Sequence, residues 1–459
     1  MTATRLGRYG PAEGEGWLAW ADREWFPVLV VGSALLLLAG TAVQFAQEPF
    51  YLTADSALFQ HAGWYIGQGA TPYVDFWDLK PPLIYAVTTV LATLSLGNMA
   101  ALHLLSIAVS LAVILAGVVA VGLLTHRLTG DGLASLVAGA TVFVVPTLYT
   151  FPYAGIRPKY FAFCCGAGAL LLAVDDRAVA AGAVAAAGAG FWQLTAGIAP
   201  LVVAMSYDRR GLGGATRALA GGVAVTTAVV LPFVLAGLTV PLFTQAVVAA
   251  ALGGAQNTLP EQLLEFVLEL SAGVFLLPLG GYGIYRACRA DWRRYWWVAV
   301  GASVYLRAMF VNMEGSIDTV LLLPFLGVGV GYLVATADGP PRPDWPEAET
   351  LLVAAVAVMA LSGLYWSTTA PTPVKDRIEG VQASVGVEDF PPEYDRPLDA
   401  VTLETIYWEK QQPETCHYRL SKKEMKFLDI TGQDRFQRQC GDWPFADPPV
   451  QWLVARLVP

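Results

Sequence analysis

The amino-acid sequence predicts an all-α polytopic membrane protein with about eleven transmembrane helices and a small α+β appendage at the C-terminus. Hydrophobic residues make up 55% of the 459 residues and charged residues only 14%, and the mean hydropathy is +0.51. Long uncharged runs recur over residues 1–367. From about Thr368 the sequence becomes charged and contains several prolines, which indicates a separate soluble domain over residues 368–459.

The first spanning helix is predicted from about Pro27 to Phe45, since Trp25 and Phe26 are typical of a membrane interface. No small-residue cleavage site follows it, so we interpret it as an uncleaved helix. The next apolar run, from Pro81 to Leu96, is only 16 residues long and begins with two prolines. It is short for a crossing, and it can be either a span or a half-buried helix that returns to its own side.

The distribution of arginines distinguishes these two interpretations. If residues 81–96 do not cross, the basic loops share the side of the N-terminus; their arginines are Arg127, Arg177, Arg209, Arg210, Arg286, Arg289, Arg293, Arg294 and Arg342. If they do cross, nearly all of these loops lie outside the cell. The positive-inside rule therefore favours the non-crossing interpretation, with a cytoplasmic N-terminus and an extracytoplasmic C-terminal domain.

Two further local predictions concern the middle of the chain. Residues 178–205 are too long for one span and contain glycine, tryptophan and Gln193 at their centre, so they are predicted to form two short helices with a turn between them. The preceding pair, Asp175 and Asp176, is predicted to cap the helix that starts at Ala178.

Charge and cysteine content narrow the function classes. The net charge of −9, from 37 acidic and 28 basic residues, argues against nucleic acid as a partner. None of the five cysteines has the spacing of a metal site. Cys416 and Cys440 both lie in the predicted extracytoplasmic domain, 24 residues apart, and we expect them to form a disulfide.

The polar residues that are candidates for chemistry concentrate in the predicted outer loops. The first outer loop, residues 46–98, is the richest, and the candidates in all outer loops are Asp55, His61, Asp75, Asp78, Lys80, Arg157, Lys159, Glu314 and Asp318. Cations of this kind can bind a phosphate leaving group, while a carboxylate accepts the proton of an incoming hydroxyl. The pattern suits a catalyst that acts on a phosphate-bearing lipid at the membrane surface.

Each candidate also has a purely structural interpretation. Lys80, Arg157 and Lys159 can each be an interfacial anchor at a helix end, although together they are the main cations of the outer side. Asp75 and Asp78 can be turn or cap residues. His61 lies on one helical face with Trp64, for which packing is the better explanation. Gln193 and Arg307 lie deep enough that a cavity or a partner is expected beside them.

Three segments of the first loop resemble a known family. They are Ala54-Asp55-Ser56-Ala-Leu-Phe, then Gly-Gln-Gly-Ala-Thr-Pro-Tyr73-Val-Asp75, then Asp78-Leu-Lys80-Pro-Pro-Leu-Ile-Tyr85. This combination resembles the GT-C membrane glycosyltransferases, in particular the protein O-mannosyltransferase-like and aminoarabinose-transferase-like branch. The likeness is strongest over residues 51–85 and extends more loosely to about residue 334.

The resemblance implies an inverting transferase that takes one sugar from a polyprenyl or dolichyl phosphate and passes it to a glycan, lipid or protein acceptor. It implies that Asp55 is the general base and that Lys80 binds the donor phosphate. Two positions depart from the family pattern. Ser56 stands where a second acidic residue is common, and Glu314 and Asp318 occupy a region where a His-Tyr pair is common.

Two other functions remain open at this point. A transporter or flippase of a polyprenyl-linked sugar would use the same cations for binding alone, although broken midplane helices would be expected for it. A metal-dependent oligosaccharyltransferase would use Asp55, Asp75 and Asp78 as ligands of Mg²⁺ or Mn²⁺. For the leading interpretation, a lipid-phosphate sugar transferase, we expect no cofactor.

Overall fold

The computed structural model describes residues 16–47, 54–73, 78–96, 98–250, 267, 270–311, 316–337 and 348–369. Within these residues the regular structure is helical and no β-strand is assigned, which confirms the predicted all-α class. The predicted α+β domain, apart from its first two residues, and its disulfide Cys416–Cys440 lie outside the described residues.

Fifteen α-helices follow one another in the described part of the chain. They are α1 (Trp17–Arg23), α2 (Trp25–Gln47), α3 (Ala54–Gly67), α4 (Leu83–Leu94), α5 (Met99–Thr129), α6 (Gly132–Ala140), α7 (Thr147–Thr150), α8 (Pro158–Val174), α9 (Ala178–Phe191), α10 (Ile198–Leu235), α11 (Thr239–Phe243), α12 (Leu276–Ala290), α13 (Trp292–Val311), α14 (Leu323–Ala335) and α15 (Ala348–Thr369). Short 3-10 turns connect several of them, and a π-helix, Thr244–Ala249, follows α11.

Three described segments have the length and apolar composition needed to cross a membrane: Trp25–Ala46, Ala100–Thr129 and Gln193–Leu235. The last consists of two helices joined at Gly211, which has φ 60° and breaks the helical geometry. Shorter apolar helices, of 10 to 17 residues, include α4, α8, α9 and α14. The protein is therefore a helical membrane protein, and the total of eleven spans stays a prediction.

Helix α4 is relevant to the interpretation of the first loop. It has 12 residues and so a length of roughly 18 Å, whereas the hydrocarbon core of a bilayer is about 30 Å thick. A helix of this length agrees with a segment that does not cross. Helix α3, predicted from Ser56 to Gly67, runs from Ala54 to Gly67 and packs against α4.

Arginine-containing turns from distant parts of the sequence lie beside the C-terminal end of α5. The Arg127 guanidinium Nε lies 2.7 Å from the Asp175 carboxylate, and Arg294 donates to the Arg127 carbonyl at 3.2 Å. At the same end, the carboxylate of Asp22 accepts from the backbone N–H of Gly132 at 2.8 Å. The N-terminal helix therefore ends beside the arginine-rich turns, as the positive-inside interpretation requires.

The predicted capping role of Asp175 and Asp176 is wrong. The residue that precedes α9 is Arg177, and no side-chain hydrogen bond caps this helix. Asp175 instead pairs with Arg127, and Asp176 accepts from Arg210 Nε at 2.6 Å. Charge pairing with arginines of neighbouring turns replaces the local cap, because the two carboxylates face cations that are distant in sequence.

The predicted turn in the middle of residues 178–205 is confirmed. Helix α9 ends at Phe191, Trp192 is extended, and a 3-10 turn over Gln193–Gly197 leads into α10. Helices α9 and α10 pack closely, since a Cβ on Gly221 would lie 1.9 Å from the Val179 carbonyl oxygen. This close packing holds the start of α9 against α10.

Candidate active site

Helix α3 holds Asp55 in its first turn, where the partial positive charge of a helix N-terminus stabilises a carboxylate. Asp55 is exposed, whereas the following Ser56 is fully buried. Tight packing sets the position of the helix, because a Cβ on Gly63 would lie 2.4 Å from the backbone carbon of Thr88 in α4. The Asp55 carboxylate therefore lies on the exposed surface of the closely packed helix pair α3 and α4.

The loop that carries Lys80 is ordered by the carboxylate of Asp78. Its Oδ1 accepts from the Lys80 backbone N–H at 3.0 Å and its Oδ2 accepts from the Tyr85 hydroxyl at 2.5 Å. The Asp78 N–H donates to Gln245 Oε1 at 3.2 Å, and the Tyr73 hydroxyl donates to the Lys80 carbonyl at 2.8 Å. The Lys80 backbone is therefore held on both its N–H and its carbonyl side.

Electrostatics connect the loop to α3. Burial raises the pKa of Asp78, while the positive charge of Lys80 and the Tyr85 hydrogen bond lower it and the negative charge of Asp55 raises it. Asp55 and Lys80 therefore each lie within electrostatic reach of Asp78. Because Asp78 is 5% exposed and both its oxygens accept hydrogen bonds, its geometry suits support of Lys80 better than proton transfer.

Two glutamines attach the same loop to distant elements. The Gln193 amide donates to the carbonyls of Leu79 and Ala246, the latter at 2.8 Å. The Gln245 amide donates to the Tyr73 carbonyl at 2.7 Å. Gln193 has the partner expected from the sequence, whereas Gln245 was missed. Its only signal is a polar side chain in the apolar run after α10, where the structure has a π-helix, a feature often found at functional sites.

Arg157 lies immediately before α8, with Pro158 as the first helical residue. Its guanidinium carbon is 5.1 Å from the centre of the Phe151 ring, and the residue is half-buried. The loop is bonded to α3, because the Ser56 hydroxyl donates to the Ile156 carbonyl at 3.1 Å. The structure thus links the segment of Asp55 directly to that of Arg157.

Lys159, the third predicted phosphate ligand, has a protein partner. Its ammonium forms an ion pair with Asp318 and lies 5.4 Å from the centre of the Trp192 ring. The two charged side chains are 19% and 5% exposed. Asp318 belongs to the 3-10 turn Ser316–Leu321 before α14. Much of the charge of Lys159 is therefore already balanced inside the protein.

The remaining predicted residues lie elsewhere or outside the described part. His61 is buried and stacks with Tyr65 at 5.6 Å, and burial lowers its pKa to about 4. It is neutral at pH 7, which agrees with a packing role. Arg307 is exposed near the end of α13. Asp75 and Glu314 lie outside the described residues.

A metal role for Asp55, Asp75 and Asp78 stays a prediction, since Asp75 is not among the described residues. No cluster of three or more His, Cys, Asp or Glu side chains suited to a metal occurs in the part of the chain that the structure describes.

Comparison with known proteins agrees with the resemblance seen in the first loop. A family described as "DolP-mannose mannosyltransferase" matches residues 69–231, a range that includes Lys80, Arg157, Lys159 and Gln193. A Haloferax volcanii protein named "Dolichol phosphate-mannose mannosyltransferase" is 25% identical over 420 residues, which cover 85% of this chain and 91% of the relative. Both matches favour an enzyme over a transporter. Together with the helical membrane fold, they support a GT-C-type glycosyltransferase that uses a polyprenyl-phosphate sugar.

Proposed function

We propose that the chain transfers a single mannose, with inversion, from dolichyl-phosphate mannose to a hydroxyl group of a glycan, lipid or protein acceptor. The names of the matching family and of the Haloferax volcanii relative support the donor. The acceptor is proposed only as a hydroxyl because the base candidate is a single exposed carboxylate, which suits removal of a hydroxyl proton.

The observation that carries the mechanism is the packing of α3, which holds Asp55, against α4, which begins three residues after Lys80, and both charges act on the carboxyl of Asp78. Lys80 and Arg157 bind the donor phosphate and offset the negative charge that grows on it. Asp55 takes the proton of the acceptor hydroxyl as its oxygen attacks the anomeric carbon. The bond from that carbon to the phosphate oxygen breaks, and dolichyl phosphate leaves.

Lys159 has a smaller role in this proposal than Lys80 and Arg157. Its ion pair with Asp318 holds the turn before α14 against α8. A donor phosphate would have to compete with the Asp318 carboxylate for this ammonium. We therefore rank it below Lys80 and Arg157 as a phosphate ligand.

The reaction is proposed to take place on the extracytoplasmic face. The arginine-rich turns lie at the far end of α5, whereas His103, near its start, contacts the Tyr153 carbonyl beside the site. The two residues His103 and Arg127 are separated by 24 helical positions, or roughly 36 Å, about the thickness of a bilayer. With the arginines in the cytoplasm, the site faces outward, as do the end of α15 and the C-terminal domain.

The direct test is transfer by the purified protein in liposomes. Radiolabelled dolichyl-phosphate mannose is supplied with a membrane extract as the source of acceptors, and both labelled product and free dolichyl phosphate are measured. Dolichyl-phosphate glucose serves as the competing donor. Label that moves from the glucose donor but not from the mannose donor would contradict the proposed sugar.

The base is tested with a matched pair of variants. Asp55→Asn keeps the shape of the side chain and should lower transfer by about 10²–10⁴-fold while donor affinity changes little. Asp208→Asn is the control, because Asp208 is also exposed but lies beside the arginine-rich end of the bundle. Near-normal turnover of Asp55→Asn would exclude Asp55 as the base.

A further inference from the structure

A buried polar network joins α3 to the loop before α8. Besides the bond from the Ser56 hydroxyl to the Ile156 carbonyl, the Gln60 amide donates to the Ser56 carbonyl at 3.1 Å and approaches His103 Nδ1 at 3.5 Å. His103 Nε2 lies 3.1 Å from the Tyr153 carbonyl. Ser56, Gln60 and His103 are each 0% exposed. The network therefore has no access to water.

The partners fix the proton on His103. A carbonyl oxygen only accepts hydrogen bonds, so Nε2 must carry the hydrogen and donate a hydrogen bond to the Tyr153 carbonyl. Nδ1 then carries no hydrogen and accepts a hydrogen bond from the Gln60 amide. This is the neutral imidazole, with both ring nitrogens used. The two amide hydrogens of Gln60 are also both used, one on Ser56 and one on His103. These contacts select one tautomer of the imidazole and one orientation of the Gln60 amide.

The loop backbone lies directly on this network. Gly155 has φ +105°, a left-handed conformation, and a Cβ there would lie 2.6 Å from Gln60 Nε2 and 3.2 Å from Ser56 Cβ. No side chain fits between the loop and α3. The hydrogen bonds therefore join α3 and the loop before α8 where their backbones lie closest. A small change in the network would move the loop relative to α3.

We propose that Ser56, Gln60 and His103 are positioning residues that set the distance between Asp55 and Arg157. This inference rests on the proposed function, in which Asp55 is the base and Arg157 binds the donor phosphate. Ser56 is the next residue after Asp55 and Ile156 is the residue before Arg157, so one hydrogen bond connects their immediate neighbours. None of the three positioning residues needs to contact the substrate.

The same contact gives position 56 a specific requirement. The side chain there must donate a hydrogen bond to a carbonyl inside the protein, which an ionised carboxylate cannot do. Serine at this position meets the requirement, whereas an ionised aspartate or glutamate would not. We infer that this chain uses a single carboxylate in α3 for chemistry and the adjacent hydroxyl for alignment.

The test compares two buried serines that bond to the same loop. Ser56→Ala removes the donor to Ile156, and the control Ser110→Ala removes a hydroxyl that lies 3.4 Å from the Gly155 carbonyl and is also 0% exposed. Ser56→Ala should lower kcat by about ten- to hundredfold with the KM for the donor changed less than about threefold, because misplacement of a catalytic group mainly affects the transition state. Equal losses in both variants would reduce the network to a structural role and overturn the proposal.

A double-mutant cycle separates this inference from the proposed function. If Ser56 acts through Asp55, Ser56→Ala in the Asp55→Asn background should cause less than about a threefold further loss. Fully multiplicative losses would show that Ser56 acts independently of Asp55 and would refute positioning. If Asp55→Asn alone keeps its turnover, the base assignment fails instead. An inactive Asp55→Asn with an unaffected Ser56→Ala would refute only the positioning role.

Discussion

Replacing Tyr85 by phenylalanine is expected to loosen the loop that carries Lys80. The ring should stay in place, because it packs against Tyr73 with a centroid distance of 6.0 Å and against Phe59 at 6.4 Å. Only the hydroxyl that donates to Asp78 at 2.5 Å is lost. A hydrogen bond to a charged group contributes about 1.5–3 kcal/mol, and one between neutral groups about 0.5–1.5 kcal/mol. The loss should therefore depend on whether Asp78 is ionised.

The sign of this pH dependence follows from the direction of the shift. Burial raises the pKa of Asp78 in the folded protein, so its contribution to stability is present at low pH and is lost as the pH rises through that pKa. The Tyr85 bond lowers the pKa by stabilising the ionised form. Tyr85→Phe should thus cost more free energy of unfolding above the pKa of Asp78 than below it, by about 1 kcal/mol.

The assay is thermal unfolding of the purified protein at pH values from about 5 to about 9, together with donor affinity. Tyr149→Phe is the control, since Tyr149 is equally buried and its hydroxyl donates to the neutral carbonyl of Ala360 at 3.1 Å. It should lose about 0.5–1.5 kcal/mol at every pH. A loss for Tyr85→Phe that matches the control at all pH values would refute the reasoning that the Tyr85 hydroxyl stabilises the ionised form of Asp78.

Four further outcomes are expected. Lys80→Ala should raise the Kd for the donor by roughly ten- to hundredfold in a binding assay, since it removes a charge-assisted contact to phosphate, and an unchanged Kd would make Lys80 an interfacial anchor. Chelation of divalent cations should leave transfer unchanged, while loss of activity that Mg²⁺ or Mn²⁺ restores would favour the metal-dependent alternative. A cysteine placed at Asn98 should react with an impermeant reagent added from outside the cell, and labelling from the cytoplasm alone would contradict the non-crossing interpretation of residues 81–96. Mass spectrometry without reduction should find a disulfide between Cys416 and Cys440. This bond would add about 3–4 kcal/mol to the free energy of unfolding of the C-terminal domain. Two free thiols would contradict the predicted disulfide.

Local features of the fold could be predicted because they depend on nearby residues. The run after Asp55, with His61 and Trp64 on one helical face, predicted helix α3, and the prolines after Lys80 predicted a short α4. The glycine-rich centre of residues 178–205 gave the turn that carries Gln193. In each case hydrophobic periodicity and backbone restriction act within a few residues, so a single sequence carries the signal.

Contacts between distant segments could not be predicted in this way. The partners of Asp175 and Asp176 lie 48 and 34 residues away, so a local capping rule gave the wrong role. The hydrogen bond that the Asp78 N–H donates to Gln245 joins residues 167 positions apart. Lys159 was predicted from its place in an outer loop, but its pairing with Asp318 depends on how α8 and the turn before α14 meet. Such contacts follow from the packing of helices, which composition and spacing do not specify.

The shortness of α8 and α9 affects how a lipid substrate reaches the site. These helices have 17 and 14 residues, so their lengths are about 25 and 21 Å, below the roughly 30 Å of an average hydrocarbon core. A bilayer adapts to such a mismatch by becoming thinner beside the short segments. Arg157 at the start of α8 and Gln193 just after α9 would then lie at the level of a locally depressed lipid surface. A donor that diffuses in the membrane would carry its phosphate down to that level with the surrounding headgroups, without leaving the lipid phase.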